Sequence, residues 1–292
     1  MPTPTSPHRR LTLFAALTAL FTPLLQACSP LRIINQLVPS DTYKANFDQA
    51  YGSQSRQQLD VYQPVSAAQG APVVVFFYGG SWTTGERRDY LFVGEALASR
   101  GIVVMVADYR LSPEVRYPVF LQDCALSMRW ARDNAVRFGG DPAKLFVMGH
   151  SAGAYNAAML ALDPRWLAGV GMTPAQLAGW VGVAGPYDFL PIGVPDVQVA
   201  FSWPNTPPDS QPLFHAKAAS PRALLLAARS DTIVNPQRST VGLSERLRGL
   251  GVAVDAELLD GVSHTTIIGA LARPLRGLAP VLERVARFVN GG

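Results

Sequence analysis

The chain has 292 residues, 48% hydrophobic and 16% charged, a balance that excludes intrinsic disorder and fits one large globular domain or two small ones. The formal net charge is +4, but Arg9 and Arg10 lie in an acid-free leader and the other arginines are scattered, which argues against nucleic acid as a partner. Histidine, cysteine and carboxylate residues nowhere cluster at metal-ligand spacing and no glycine loop has a phosphate-binding pattern, so neither metal nor cofactor is expected.

Residues 1–27 read as an export leader, with Arg9 and Arg10 preceding the apolar run Leu11 to Leu25 and then small residues. That run is short of the about 20 residues a membrane span needs. Leu25-Gln26-Ala27-Cys28 resembles a bacterial lipobox, which implies a lipidated Cys28 and a membrane-anchored envelope protein. Gln26 departs from the usual small or β-branched residue, so ordinary cleavage to a soluble secreted or periplasmic product is the alternative. Cys124, the other cysteine, falls in an apolar helical stretch and reads as a small buried residue.

Residues 28–52 read as a tether and N-terminal arm, and 53–292 as the main domain. Within it, Gln58 to Tyr62 alternates like a half-exposed strand, whereas Val73 to Phe77 is the unbroken β-branched and aromatic run of a strand buried on both faces. Directly after it comes Tyr78-Gly79-Gly80-Ser81-Trp82, a turn whose glycines let backbone amides approach an acyl oxygen. A helix is predicted over Leu91 to Arg100, a buried strand over Ile102 to Ala107, and a long amphipathic helix over Tyr117 to Phe138, stopped by Gly139-Gly140. Leu145 to Met148 is another short apolar strand and Ala152 to Leu162 an alanine-rich helix. Between them lies Gly149-His150-Ser151-Ala152-Gly153, a Gly-x-Ser-x-Gly at a strand-to-helix junction, the setting of a nucleophile elbow.

Ala178 to Ala184, Ala223 to Ala228 and Ala253 to Leu259 are further strands, with helices over Pro236 to Gly249 and Pro280 to Asn290. Residues 186–221, rich in proline and aromatics, are too long for a plain connection and read as a small cap over a pocket. The alternation predicts an α/β fold: a mostly parallel sheet with helices on both faces and ligands at the carboxyl ends of its strands.

Candidate chemistry follows from position. Ser151 is the nucleophile, with its hydroxyl at a helix N-terminus. His264 follows the last strand and can be carried over the serine as the base, while His150 is expected to shape the pocket and His215 to sit at a surface or pocket rim. Asp231 is the expected orienting acid, giving the chain order Ser, Asp, His; Asp188 and Asp260 are its competitors. Gly79, Gly80 and Ala152 supply the expected oxyanion hole, and Tyr78 and Trp82, with His150, the substrate pocket.

From Gln58 to the C-terminus the chain resembles α/β-hydrolase carboxylesterases of the hormone-sensitive-lipase-like and feruloyl/acetyl-xylan-esterase-like groups. The motifs above carry the likeness, together with Asp108-Tyr109-Arg110-Leu111-Ser112-Pro113-Glu114 and Gly139-Gly140-Asp141-Pro142. The resemblance implies that Asp108, Arg110 and Asp123 brace loops, and that Tyr78, where the family usually has histidine, matches a Tyr-Gly-Gly variant like that of prenylcysteine methylesterases. The expected activity is hydrolysis of small to medium acyl esters through an acyl-enzyme. An amidase or formamidase using the same residues, and a non-catalytic envelope binding module, are the alternatives.

Overall fold

A computed structural model of the chain describes residues 30–66 and 69–291; the leader and Cys28 lie outside the described residues. One sheet of eight strands organises the described residues: β1 (Tyr43–Ala50), β2 (Gln58–Pro64), β3 (Ala71–Phe77), β4 (Val103–Ala107), β5 (Gly140–His150), β6 (Gly179–Val183), β7 (Ala223–Ala228) and β8 (Val254–Leu259), in the order β1-β2-β4-β3-β5-β6-β7-β8. From β4 to β8 all neighbours are parallel, and β1 and β2 add an antiparallel edge. The helices are α1 (Pro30–Gln36), α2 (Leu91–Ala98), α3 (Val119–Asn134), α4 (Ala152–Leu162), α5 (Pro164–Ala168), α6 (Pro195–Ala200), α7 (Gly242–Gly249), α8 (Thr266–Gly269) and α9 (Val281–Asn290).

The apolar runs form the strands buried on both faces. Every residue of β4, β6 and β7 is buried, as are Val73 to Phe77 of β3. At the far edge β8 is only half-buried and carries Asp255 and Glu257. The chain runs outward from β3 to β4 on one side and returns to β5 on the other. This places the carboxyl ends of β3 and β5 side by side, with Phe77 opposite Gly149. At such a switch point the loops leaving the two strands diverge and open a crevice, and here those loops are the Gly79-Gly80 turn and the serine elbow.

The segment 28–52, read as a tether and N-terminal arm, contains helix α1 and the edge strand β1, and the strand was not foreseen. Strand β1 shows no clean alternation: its register with β2 shifts between Asn46 and Gln49, and Asp48 has φ +56°. That irregularity erased the two-residue period by which a strand is recognised. Helix α3 starts later than the apolar pattern suggests, with Pro118 as its N-cap, and a 3-10 turn (Ala135–Phe138) carries it to Gly139, whose φ of +81° ends it. Residues 186–221 contain α6 and two 3-10 turns.

Candidate active site

Strand β5 ends at His150 and α4 begins at Ala152, so Ser151 alone makes the turn, with φ 52° and ψ −119°. This is a left-handed conformation that costs a non-glycine residue of order 1–3 kcal/mol. The flanking glycines permit it: a Cβ on Gly149 would stand 2.0 Å from the Gly153 carbonyl oxygen, and one on Gly153 2.0 Å from that of Phe77. The Ser151 amide donates to the Val183 carbonyl at 2.9 Å, tying the elbow to β6.

The loop after β7 carries Asp231 and the loop after β8 carries His264, and both side chains reach the elbow. His264 Nε2 lies 2.9 Å from Ser151 Oγ, and its Nδ1 lies 2.7 Å from Asp231 Oδ2. Asp231 Oδ1 accepts from the amides of Ile233 and Val234 at 2.8 and 3.0 Å, which fixes the carboxylate and leaves Oδ2 for the imidazole. Both residues are buried.

The two rival acids are engaged elsewhere. Asp188 is held by Arg238, which donates to it through Nε and Nη2 at 2.8 and 2.9 Å. Asp260 is paired with Arg229 and is the exposed half of a turn in which Gly261 has φ +75°. His215 is not among the gathered groups; its Nε2 bonds the Asp209 carbonyl at 2.6 Å. Cys124 is fully buried, and burial pushes its thiol well above its ordinary range.

The turn after β3 lies against the serine, and a Cβ on Gly79 would stand 3.0 Å from both Ser151 Cβ and His150 Nδ1. Gly80, with φ +122°, has its carbonyl capped by the amides of Thr83 and Thr84 at 2.9 and 3.0 Å. Ala152 lines a cavity shared with Ser151 and Trp82, where Trp82 is anchored by its indole N–H donating to Asn156 Oδ1 at 3.0 Å. His150 lines a second cavity beside Ser151. Its Nε2–H donates to the His264 carbonyl at 2.9 Å, and burial, with His264 close by, lowers its pKa to about 3.

Tyr78 does not line the pocket. Its ring is buried between Tyr90 and Tyr109, and its hydroxyl donates to Asp108 Oδ1 at 2.8 Å while accepting from Arg56 Nη2 at 2.7 Å. The residue before two glycines was assigned to the cavity by its neighbours in sequence, but at the end of a doubly buried strand its side chain turns into the protein. Asp108 also accepts from the Arg87 amide at 2.7 Å and from its guanidinium, while Arg110 grips Asp123 through Nε and Nη2 at 2.9 and 2.7 Å. Sequence reasoning missed Arg56 and Arg87, which lack any motif. It also missed the apolar wall of Ile192, Val194, Val197 and Ile233, contributed by α6, the stretch just before it and the loop after β7.

The chain has the α/β-hydrolase fold: the sheet order and the elbow after β5 define it, and the fold gathers residues 151, 231 and 264 at one rim of the sheet. Within it, the chain's relatives are carboxylesterases, as the motifs implied. The BD-FAE family model matches residues 59–192. A probable isoprenylcysteine alpha-carbonyl methylesterase of Oryza sativa subsp. japonica is 29% identical over 263 residues, 82% of this chain and 61% of that protein. The chain thus spans less than two thirds of that relative's length. Carboxylesterase NlhH of Mycobacterium tuberculosis is 39% identical over 111 residues, covering 37% of this chain and 34% of its own. Among solved structures, an esterase of Pyrobaculum calidifontis superposes with a TM-score of 0.72 at 21% identity, covering 99% of both chains.

Proposed function

We propose that this protein is a serine carboxylic-ester hydrolase working through an acyl-enzyme. The observation that carries the reading is the unbroken relay from Asp231 through His264 to Ser151, with spacings of 2.7 and 2.9 Å. Neutral His264 accepts the Ser151 proton on Nε2 as Oγ bonds to the ester carbonyl carbon, and Asp231 holds Nδ1 protonated and stabilises the imidazolium. The carbonyl oxygen becomes an oxyanion, met by backbone amides of the Gly79-Gly80 turn and of Ala152 at the start of α4. The carbon–oxygen bond to the alcohol then breaks, with the proton on His264 passing to the leaving oxygen. Water, deprotonated by His264, repeats the sequence to free the acid and restore Ser151.

Residues 186–221 act as a cap in this reading, since Phe189, Ile192, Val194 and Val197 wall the cavity that reaches Ser151. The leader and Cys28 support export and anchoring of the enzyme in the cell envelope through lipid on that cysteine. Mass spectrometry of the mature N-terminus tests this placement: a free N-terminus elsewhere, with no lipid on Cys28, rejects it. For the activity, the test is fluorophosphonate labelling and hydrolysis of 4-nitrophenyl esters by the purified protein and by Ser151→Ala. Absence of labelling at Ser151, or full activity in the variant, rejects the reading.

A further inference from the structure

Residues 78–86 lead from β3 to the 3-10 turn Arg87–Tyr90 and carry the glycine turn that lies against Ser151. Their backbone is unusual: Gly80, Ser81, Trp82 and Gly85 have φ of +122°, +52°, +60° and +107°. Ser81 and Trp82 bear side chains in the left-handed region, and such residues persist only where surrounding contacts over-determine them. Two contacts act at the middle of the loop. The Trp82 indole N–H donates to Asn156 Oδ1 at 3.0 Å, and the Trp82 carbonyl accepts from the Ser112 amide at 2.8 Å.

The two ends of the loop are joined by one side chain from elsewhere. Arg56 lies in the connection between β1 and β2, and its Nη2 donates to the Tyr78 hydroxyl at 2.7 Å and to the Gly85 carbonyl at 2.6 Å. Its Nε donates to the Tyr109 carbonyl at 3.0 Å, and the Tyr109 hydroxyl donates to the Tyr78 carbonyl at 2.8 Å. The ends meet closely, since a Cβ on Gly85 would stand 2.7 Å from the Tyr78 ring. The connection that presents Arg56 is itself fixed. Gln57 is buried, donates to Asp123 Oδ1 at 2.7 Å and accepts from the Gln54 amide at 3.0 Å, while the Tyr51 hydroxyl donates to the Asp108 carbonyl at 2.6 Å.

Building on the ester-hydrolase reading, we propose that Arg56 is a positioning residue for the reaction: by clasping Tyr78 to Gly85 it keeps the Gly79-Gly80 amides aimed at the oxyanion. Arg56 lines neither cavity beside Ser151, so it acts through the loop and not on the substrate. The oxyanion forms only as the carbonyl is attacked. Donors that drift out of line therefore slow the chemistry while the substrate still binds. The antiparallel edge hairpin thus serves the active site as well as the sheet.

Kinetics on 4-nitrophenyl acetate test the proposal, together with inhibition by a short alkyl trifluoromethyl ketone, which forms a hemiketal oxyanion on Ser151. Arg56→Ala should lower kcat by about tenfold or more and weaken the ketone by a similar factor, with KM changed less than about threefold. Millimolar methylguanidinium should restore part of both losses, because the Arg56 side chain is 28% exposed and its emptied place is open to solvent. Arg56→Lys, which keeps the charge without the planar fork, should fall between the two proteins, and it carries the test if Arg56→Ala does not fold. A folded variant with a lowered urea midpoint but unchanged kcat and ketone affinity would overturn the proposal, as would a rise in KM alone. Hydrolysis that survives Ser151→Ala would instead strike the reading on which it rests.

Discussion

His150 holds the loop that carries His264: its Nε2–H donates to the main-chain carbonyl of His264 at 2.9 Å, with the two rings 5.2 Å apart. The residue before the nucleophile thus positions the base from below, through the backbone. Replacement by phenylalanine keeps the bulk but removes the donor. His150→Phe should lower kcat by about tenfold with little change in KM, the pattern of a misplaced base rather than lost binding. His150→Gln, which restores a donor, should recover part of the loss; equal kcat in all three proteins would remove this role.

The same buried imidazole makes stability depend on pH. Its pKa is lowered from 6.5 to about 3 by burial and by His264, so the unfolded chain binds this proton below pH 6.5 while the folded one refuses it. Stability from this group is therefore full above about pH 6.5 and falls by roughly 1 kcal/mol per pH unit on acidification toward about pH 3. Urea melts across that range should show His150→Phe losing less stability on acidification than the unaltered protein. Parallel curves for the two would contradict the assignment.

Asp231 and Asp188 should separate cleanly in kinetics. Asp231→Asn leaves His264 without its orienting acceptor and should cost about 10⁴ in kcat, against about 10⁶ for Ser151→Ala. Asp188→Asn weakens only the pairing with Arg238, and kcat should stay within about threefold, since exposed pairs contribute about 0–1 kcal/mol. A crippled Asp188→Asn beside an active Asp231→Asn would reassign the acid.

The elbow glycines should tolerate no side chain. Gly149→Ala and Gly153→Ala each drive a methyl to 2.0 Å from a backbone oxygen, a strain worth more than about 4 kcal/mol that unfolds the protein or opens the elbow. Gly277→Ala, where a Cβ meets nothing within 4 Å, should be near neutral. Denaturant midpoints for the three variants check the contrast.

Tyr78 should matter for stability and not for substrate choice. Tyr78→Phe removes the hydroxyl that joins Asp108 to Arg56 and leaves a buried carboxylate short of a donor, a cost of about 1–3 kcal/mol. Acyl-length preference should be unchanged, and a shift in it would put the ring back at the pocket.

Local steric and periodic demands were legible in the sequence. Val73 to Phe77 could only be a strand shielded on both faces, and Gly149, Ser151 and Gly153 encode a turn whose need for missing Cβ atoms is satisfied within five residues. Chain order and strand ends were enough to nominate Asp231 and His264. Edge strand β1 was not legible, because a register shift and the left-handed Asp48 break its alternation.

Direction and distance belonged to the tertiary structure alone. Asp188, Asp231 and Asp260 all follow or end strands and look alike in sequence, and only the fold reveals that arginines occupy two of them while His264 meets the third. Tyr78 lies one residue from the glycine turn, yet buried partners outside any motif draw it away from the cavity. The two cavities beside Ser151 are built from side chains far apart in the chain, on loops, on α6 and at the ends of strands, so their sizes and polarities are set by how those elements pack over the sheet.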